Sequence, residues 1–122
     1  MSARAQAEIM IRSVVDTYNS GDIDRITALF DPEVLVHWNG EKVAVNRNEL
    51  RAWFLAGPVG QATQFRIEKY LQVTDGETFG VHWRYFLTYP NGQSVRGCGN
   101  EFWTNRNGRT VIWNAVGIEL AD

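Results

Sequence analysis

The side chains best suited to acid–base chemistry lie in one stretch of the chain, from Thr78 to Thr104. It contains His82, Arg84 and Glu101. An imidazole titrates near neutral pH, so a histidine beside a carboxylate can serve as a general acid or base. In that arrangement Glu101 would orient His82 or act as the base itself, and Arg84 would bind an anionic or carbonyl oxygen. The stretch therefore predicts a catalytic cluster.

The same residues also have simpler explanations. His82 could be held structurally by Glu101 or be solvated, and their contact could be a surface ion pair that contributes less than about 1 kcal/mol. Arg84 could be an exposed arginine on a strand. These alternatives stay open at the level of the sequence, because the strand register decides between them.

The stretch is predicted to form a β-hairpin, because two runs rich in β-branched and aromatic residues flank Pro90-Asn91-Gly92. A two-residue turn at Asn91-Gly92 would place His82 opposite Glu101, with their Cβ atoms about 5 Å apart. The same construction predicts further pairs: Arg84 with Gly99, Phe86 with Gly97 and, across a turn at Asp75-Gly76, Lys69 with His82.

This register gives the hairpin two different faces. Gly97 and Gly99 would leave open space on the His82 face, as a ligand site requires. The opposite face is more apolar, and its Trp83 and Tyr85 would form a dimer interface. The alternative makes the Trp83 face the core and leaves the His82 face in water, and a single bulge in either hairpin would produce it.

The rest of the chain predicts helices first and strands later. The helices are expected at Ala3–Asn19, after the capping residue Asp22, and from Asn46 to a stop at Gly57-Pro58. Further strands are expected at Val34–Trp38, Gln64–Val73 and Thr110–Leu120. Residues 1–122 are thus predicted to form one α+β domain, with three N-terminal helices packed on a curved, mainly antiparallel sheet.

Composition excludes several classes of function. The 12 basic and 14 acidic residues give a net charge of −2, which provides little attraction for nucleic acid, and no apolar run approaches the length of a membrane span. The single cysteine, Cys98, favours a reducing, cytoplasmic location. The two histidines and one cysteine are not closely spaced, so no metal site is expected. The sequence has no glycine-rich phosphate-binding loop, and no cofactor is expected.

Four parts of the sequence carry a resemblance to a known family. They are Tyr18-Asn19-Ser20-Gly21-Asp22, Leu29-Phe30-Asp31-Pro32-Glu33-Val34, the strand pair around Pro90-Asn91-Gly92, and Arg96-Gly97-Cys98-Gly99-Asn100-Glu101-Phe102-Trp103. With the order of elements, they resemble the SnoaL-like branch of the nuclear transport factor 2-like superfamily. The resemblance implies a cone-shaped α+β fold and a homodimer formed through the outer face of the sheet. Members include isomerases, cyclases, dehydratases, epoxide hydrolases and noncatalytic binding domains, so the resemblance predicts the fold more specifically than the function.

The resemblance also suggests which residues contact a ligand. In the epoxide-hydrolase members, the positions of His82 and Arg84 carry buried charged residues, and those of His37 and Asn39 carry a tyrosine and an asparagine that hold a water. Asn39 matches and His37 does not, and the acid of the last strand falls at Ala115, so full epoxide-hydrolase chemistry is not expected. The remaining ligand-binding candidates are residues that would line the cone: Tyr18, Trp53, Phe54, Phe86, Gly99 and Trp103.

Three functions follow from these patterns. The first is a cofactor-free lyase, isomerase or hydrolase that acts on a small apolar, oxygen-bearing molecule through His82 and Glu101. The second is a noncatalytic dimer that binds a ligand or another protein. The third is a structural dimer whose pocket is filled by its own side chains.

Overall fold

Four helices and six strands make up the computed structural model, which describes residues 1–121. The helices are α1 (Ala3–Asn19), α2 (Ile23–Thr27), α3 (Arg47–Ala56) and α4 (Pro58–Gln61). The strands are β1 (Phe30–Trp38), β2 (Glu41–Ala44), β3 (Gln64–Thr74), β4 (Thr78–Thr88), β5 (Ser94–Arg106) and β6 (Arg109–Leu120). The predicted α+β layout of helices packed on a sheet is confirmed.

Side-chain caps begin the helices where the sequence predicts them. Asp22 accepts hydrogen bonds from the first backbone N–H groups of α2, and Asn46 accepts one from Glu49 N at 2.8 Å at the start of α3. The carboxylate of Glu49 accepts from Val45 N, one residue before the position that a capping box would use. Helix α3 ends at Gly57 as predicted, but the short helix α4 follows it directly, which the sequence analysis did not predict.

The six strands form one sheet in the order β2-β1-β6-β5-β4-β3. Strands β1 and β6 run parallel and the other neighbours run antiparallel, so the mainly antiparallel prediction is confirmed. Strands β1 and β2 are joined by Asn39 and Gly40, whose φ values of 50° and 85° are the left-handed pair that a two-residue hairpin turn requires.

Helix α1 packs its apolar face against the sheet. The buried residues of that face recur at helical spacing: Ala7, Ile11, Val14 and Tyr18. The end of α1 is bonded to β3, because Asn19 Oδ1 accepts from Ile67 N at 2.7 Å and Asn19 Nδ2 donates to Ile67 O at 3.2 Å. These bonds fix Tyr18 against the inner face of β3.

The predicted register between β4 and β5 is wrong by one residue. The connection is a five-residue loop, Tyr89–Gln93, closed by Tyr89 N donating to Gln93 O at 2.9 Å, and it replaces the predicted two-residue turn. His82 consequently pairs with Asn100, and Glu101 pairs with Val81. Because side chains alternate along a strand, this shift places Glu101 and His82 on opposite faces.

The predicted register between β3 and β4 is also wrong, because of a β-bulge. The ladder shifts between Leu71 and Val73, so that Lys69 pairs with Trp83 and not with His82. A bulge adds one residue to one strand, and every side chain beyond it changes face relative to the partner strand. The two corrections agree: Trp83 lies on the same face as Lys69 and Glu101.

The face that carries Trp83 is therefore the inner face of the sheet. Trp83 is 3% exposed and Glu101 is 1% exposed, whereas Arg84 and Phe86 project outward and are exposed. The predicted assignment, with His82 inside and Trp83 outside, is wrong. No helix among residues 1–121 is long and apolar enough to cross a membrane.

Candidate functional site

The inner face of the sheet and helices α1, α3 and α4 border a cavity of about 150 Å³. Its wall is mainly aromatic and aliphatic, with the two charged side chains Lys69 and Glu101 as exceptions. The lining residues are Tyr18, Trp38, Trp53, Phe54, Gly57, Pro58, Val59, Phe65, Ile67, Lys69, Trp83, Tyr85, Glu101 and Trp113. Such a cavity, apolar with a few polar groups, is the usual form of a small-molecule site.

Lys69 and Glu101 form a buried ion pair. Lys69 Nζ contacts Glu101 Oε1, and the two side chains are 2% and 1% exposed. Removing two charges from water is costly unless they are paired and hydrogen-bonded, so each side chain depends on the other. A buried pair of this kind within a cavity is a candidate for function.

Two tryptophans hold the other oxygen of Glu101. Oε2 accepts from Trp113 Nε1 at 2.9 Å and from Trp103 Nε1. The strands bring these groups together, because Trp103 is two residues from Glu101 on β5 and pairs with Trp113 across the β5–β6 ladder. The two carboxylate oxygens thus have separate partners: indole N–H groups on Oε2 and the ammonium on Oε1.

Aromatic rings surround the Lys69 ammonium. Its Nζ lies 5.2 Å from the ring centroid of Tyr18 and 5.0 Å from that of Trp103. Burial lowers the pKa of Lys69, and the contact with Glu101 offsets part of this effect. Burial, with a smaller contribution from Glu101, raises the pKa of Tyr18 well above its ordinary value. Tyr18 is therefore a neutral phenol at physiological pH.

Trp83 has a buried donor without an acceptor. Its Nε1 is the one buried side-chain nitrogen or oxygen among residues 1–121 that has no hydrogen-bond partner. The indole lies over glycines of β5 and β6: a Cβ at Gly99 or Gly117 would stand 2.5 Å from the Trp83 ring. These glycines therefore make room for the Trp83 ring and not for a ligand, which corrects the predicted role of Gly99.

The family model for the SnoaL-like domain matches residues 11–113 of this sequence. The chain belongs to the SnoaL-like domain family. None of the curated proteins matches the sequence.

Solved structures with the same fold have diverse descriptions. The epoxide hydrolase/cyclase-like enzyme SalBIII, of pyran ring formation in the polyether salinomycin, has a TM-score of 0.80 at 20% identity over 94% of this chain and 92% of its own. An NTF2-like protein of unknown function from Burkholderia pseudomallei has a TM-score of 0.72 at 20% identity over 94% and 90%. The Δ5-3-ketosteroid isomerase of a Mycobacterium species has 0.72 at 14% identity over 91% and 98%. These likenesses confirm the predicted NTF2-like cone fold.

Several predicted site residues of this SnoaL-like domain do line the cavity. Tyr18, Trp53 and Phe54 contact it from α1 and α3, and Glu101 contacts it from β5. Trp103, which was predicted to line the cone, is absent from the cavity wall; it is 4% exposed and donates a hydrogen bond to Glu101. The predicted proximity of these five residues is therefore found in the fold, although Glu101 has a different partner.

Three predicted residues of β4 lie on the outer face of the sheet. His82 Nδ1 is 3.3 Å from Asn100 Oδ1, and its ring stacks on Tyr70 with centroids 6.4 Å apart. Arg84 is exposed, and Phe86 is 43% exposed. The predicted cluster of His82, Arg84 and Glu101 does not form, because the β4–β5 register places Glu101 on the other face.

The two predicted residues at the end of β1 are also outside the cavity. His37 pairs with Asn114 on β6 and is absent from the cavity wall. Asn39 bonds to the backbone of β6, since its Oδ1 accepts from Gly117 N at 2.8 Å and its Nδ2 donates to Gly117 O at 3.2 Å. Asn39 therefore anchors a turn, and its side-chain amide is occupied by the backbone.

Sequence reasoning missed Lys69, the partner of Glu101. A signal for it exists, because Lys69 has the same parity as Phe65, Ile67 and Leu71, the apolar positions of the β3 pattern. A lysine on the apolar face of a half-buried strand needs a buried counter-charge. Parity thus marks Lys69 as buried, but its pairing with Glu101 depends on the β3–β4 and β4–β5 registers.

Proposed function

We propose that this SnoaL-like domain is a cofactor-free enzyme of the isomerase, lyase or hydrolase type that acts on a small apolar, oxygen-bearing molecule. The observation that carries the proposal is the buried Lys69–Glu101 pair in the wall of an aromatic cavity. This pair replaces the His82–Glu101 pair that the sequence predicts. Metal-ion catalysis is not part of the proposal.

The chemistry proposed is proton transfer at a carbon next to a carbonyl group. Lys69 would turn its ammonium from Glu101 Oε1 to the carbonyl oxygen and stabilise the negative charge that develops there. Oε1 would then be free to take the proton, while Trp103 and Trp113 keep Oε2 in place. The neutral phenol of Tyr18 would be a second donor for the same oxygen.

The cavity limits the size of the substrate. A cavity of about 150 Å³ has the volume known to accept a single benzene-sized ring. The aromatic wall favours an apolar ring, and the unpaired Nε1 of Trp83 favours a ligand that carries a hydrogen-bond acceptor. A small cyclic ketone meets both requirements.

The isomerisation of 3-cyclohexenone to 2-cyclohexenone tests the proposal. It requires removal of a proton from C2, next to the carbonyl, and addition of a proton at C4, and the conjugated product absorbs in the ultraviolet. We expect the protein to accelerate this reaction and Glu101→Gln to reduce the rate by about 10²-fold or more, the usual contribution of a general base.

His82→Ala is the matched control, since His82 lies on the outer face of the same sheet. It should leave the rate unchanged. Circular dichroism spectra of Glu101→Gln and His82→Ala show whether each variant is folded, so that a loss of activity caused by unfolding is recognised. An equal rate for the wild type and Glu101→Gln, or no acceleration of this ketone and a panel of related ones, would contradict the proposal.

A noncatalytic ligand-binding domain is the second candidate. It is favoured by the completeness of the ion pair: Glu101 already accepts from three donors, and Lys69 is 2% exposed. Such a pair could act as a fixed structural element beneath a bound molecule. Saturable binding of cyclohexanone, measured by tryptophan fluorescence, together with no turnover of any ketone would support this candidate over the enzyme.

We further propose a homodimer formed through the outer face of the sheet. Trp83 and Tyr85 do not contribute to it, because both lie on the inner face. Apolar residues exposed on the outer face instead include Tyr70 (48%), Phe86 (43%), Phe102 (55%), Val116 (57%) and Ile118 (62%). Sedimentation should give a dimeric mass for the wild type and a monomeric mass for Ile118→Glu. A monomeric wild type at concentrations well above micromolar would contradict the dimer.

A cytoplasmic location is also proposed. Its basis is the single cysteine, Cys98, which is free and partly exposed among the described residues. A free, accessible thiol is most stable in a reducing compartment. Cell fractionation with an antibody against the chain would test it.

A further inference from the structure

We infer that Lys69 is an amine nucleophile that condenses with aldehydes or ketones bound in the cavity to form an imine. The inference rests on the cavity of the proposed function, but not on proton transfer by Glu101. It assigns a covalent chemistry to the site and a class of reactive ligand, small carbonyl compounds with an apolar ring.

The surroundings of Lys69 are those of a reactive amine. Its side chain is 2% exposed, lies in the wall of the cavity, and has the rings of Tyr18 and Trp103 within about 5 Å of Nζ. Desolvation in an apolar pocket increases the neutral fraction of a lysine, which is the form that attacks carbonyl carbons. Burial lowers the pKa of Lys69 in this way.

Glu101 is placed to move the protons that imine formation requires. Its Oε1 contacts Lys69 Nζ, so one proton transfer within the pair produces a neutral amine beside a neutral carboxylic acid. Trp103 and Trp113 hold the other oxygen, which keeps the acid next to the amine throughout. A nucleophile with an adjacent, oriented base is the arrangement that covalent catalysis uses.

The reaction balances without any further reagent. The Lys69 amine attacks the carbonyl carbon, an N–C bond forms, and the carbonyl π electrons go to oxygen, which takes the proton from Glu101. Glu101 then removes one proton from the nitrogen to give the carbinolamine, and returns it to the hydroxyl group, which leaves as water. The nitrogen lone pair completes the C=N bond. The products are a protonated imine, the Glu101 carboxylate and one water.

The chain contains a matched control for this chemistry. It has two lysines, Lys69 and Lys42. Lys42 is exposed on β2, away from the cavity wall. Reagents that trap imines therefore report a buried and an exposed lysine in the same molecule, without the need for a variant that could fail to fold.

Benzaldehyde with sodium cyanoborohydride tests the inference on the wild-type protein. At neutral pH the reductant converts each imine into a stable benzylamine, and peptide mass spectrometry locates the benzyl group over time. We expect Lys69 to be labelled several-fold faster than Lys42, because desolvation in the cavity wall favours the neutral amine and Glu101 lies next to it. Benzyl alcohol has nearly the size of benzaldehyde but forms no imine, and it should slow labelling of Lys69 and not of Lys42.

Two results would overturn the inference. One is labelling of Lys42 and the chain's terminal amine without Lys69. The other is labelling of Lys69 at or below the rate of Lys42 with no protection by benzyl alcohol, as expected for reaction through unfolding. Isomerisation of 3-cyclohexenone without a Lys69 adduct would contradict imine formation and support the proposed function. An adduct without isomerisation would support imine formation and contradict proton transfer by Glu101.

Discussion

The two faces of the β3–β4–β5 sheet carry ionisable groups at neighbouring positions, but their surroundings differ. On the inner face, Lys69 and Glu101 are 2% and 1% exposed and contact each other beside a cavity. On the outer face, Arg66 and Glu68 are 68% and 31% exposed, and Tyr70 donates to Glu68 at 2.7 Å. Burial keeps the inner pair from bulk solvent that could replace a lost partner, whereas the outer group is open to it.

This difference teaches that burial, more than residue type, identifies the candidate site. The hydrogen bond from Tyr70, followed by that from Arg66, lowers the pKa of Glu68, yet the group is open to solvent and its partners are replaceable. His82 has an ionisable ring suited to catalysis and lies on the same open face. On the inner face, Lys69 and Glu101 are both buried, and each needs the other as its counter-charge.

The largest effect should come from removing one member of the inner pair. Lys69→Met leaves the Glu101 carboxylate buried without its counter-charge, and we expect the free energy of unfolding to fall by about 3–5 kcal/mol. Urea unfolding followed by tryptophan fluorescence measures it. The matched control, Lys42→Met on exposed β2, should change the same quantity by less than about 0.5 kcal/mol.

A double variant sharpens the first result. In Lys69→Met/Glu101→Gln the buried charge is gone, and the glutamine carbonyl can still accept from Trp103 and Trp113. We expect it to recover about 1–3 kcal/mol of the stability lost in Lys69→Met alone. A double variant that is less stable than Lys69→Met would show that the unpaired charge is not the cause of the loss.

The next effect tests the packing of Trp83 on the inner face. In Gly99→Ala the new Cβ would stand 2.2 Å from Val116 O and 2.5 Å from the Trp83 ring, so the neighbouring strand must shift. We expect a loss of about 1–3 kcal/mol in the free energy of unfolding. Cys98→Ala, whose side chain is on the outer face of the same strand, should have a clearly smaller effect; equal losses would argue against the packing described.

The alkaline pH dependence of stability should also separate the two faces. The pKa of Lys69 in the folded protein lies below its ordinary value of 10.5. At pH values between the folded-state pKa and 10.5, the unfolded chain binds more protons than the folded one. The free energy of unfolding therefore rises with pH in this range, by up to about 1.4 kcal/mol per pH unit. Tyr18, with its raised pKa, acts in the opposite direction above its ordinary value of 10.0. The rise should therefore appear below about pH 10 and be absent in Lys69→Met. A rise of equal slope in that variant would assign it to another group.

The smallest effect is expected on the outer face. His82→Ala removes a partly exposed ring that contacts Asn100 and Tyr70, and the free energy of unfolding should change by less than about 0.5 kcal/mol. The rate with 3-cyclohexenone should not change either. A lower rate without a lower free energy of unfolding would show that His82 takes part in the reaction, and would contradict the assignment of the site to the inner face alone.

Local patterns were sufficient for most of the fold. The helix at Ala3–Asn19 and the caps at Asp22 and Asn46 depend on residues close in sequence, and the structure has each of them. The six-stranded order and the parallel β1–β6 pair required the structure, because they join segments far apart in the chain.

The sequence by itself determined most of the elements, though not α4 or β2, and it determined the family and the presence of Glu101, Tyr18, Trp53 and Phe54 beside one cavity. Only the tertiary structure decided the partner of Glu101. The length of the unpaired loop at residues 89–93 decides which side chains of β4 and β5 lie on the same face. The bulge between Leu71 and Val73 decides the same for β3 and β4. A shift of one residue exchanges the two faces of a strand, so a small change in loop geometry replaced His82 with Lys69 as the partner of Glu101.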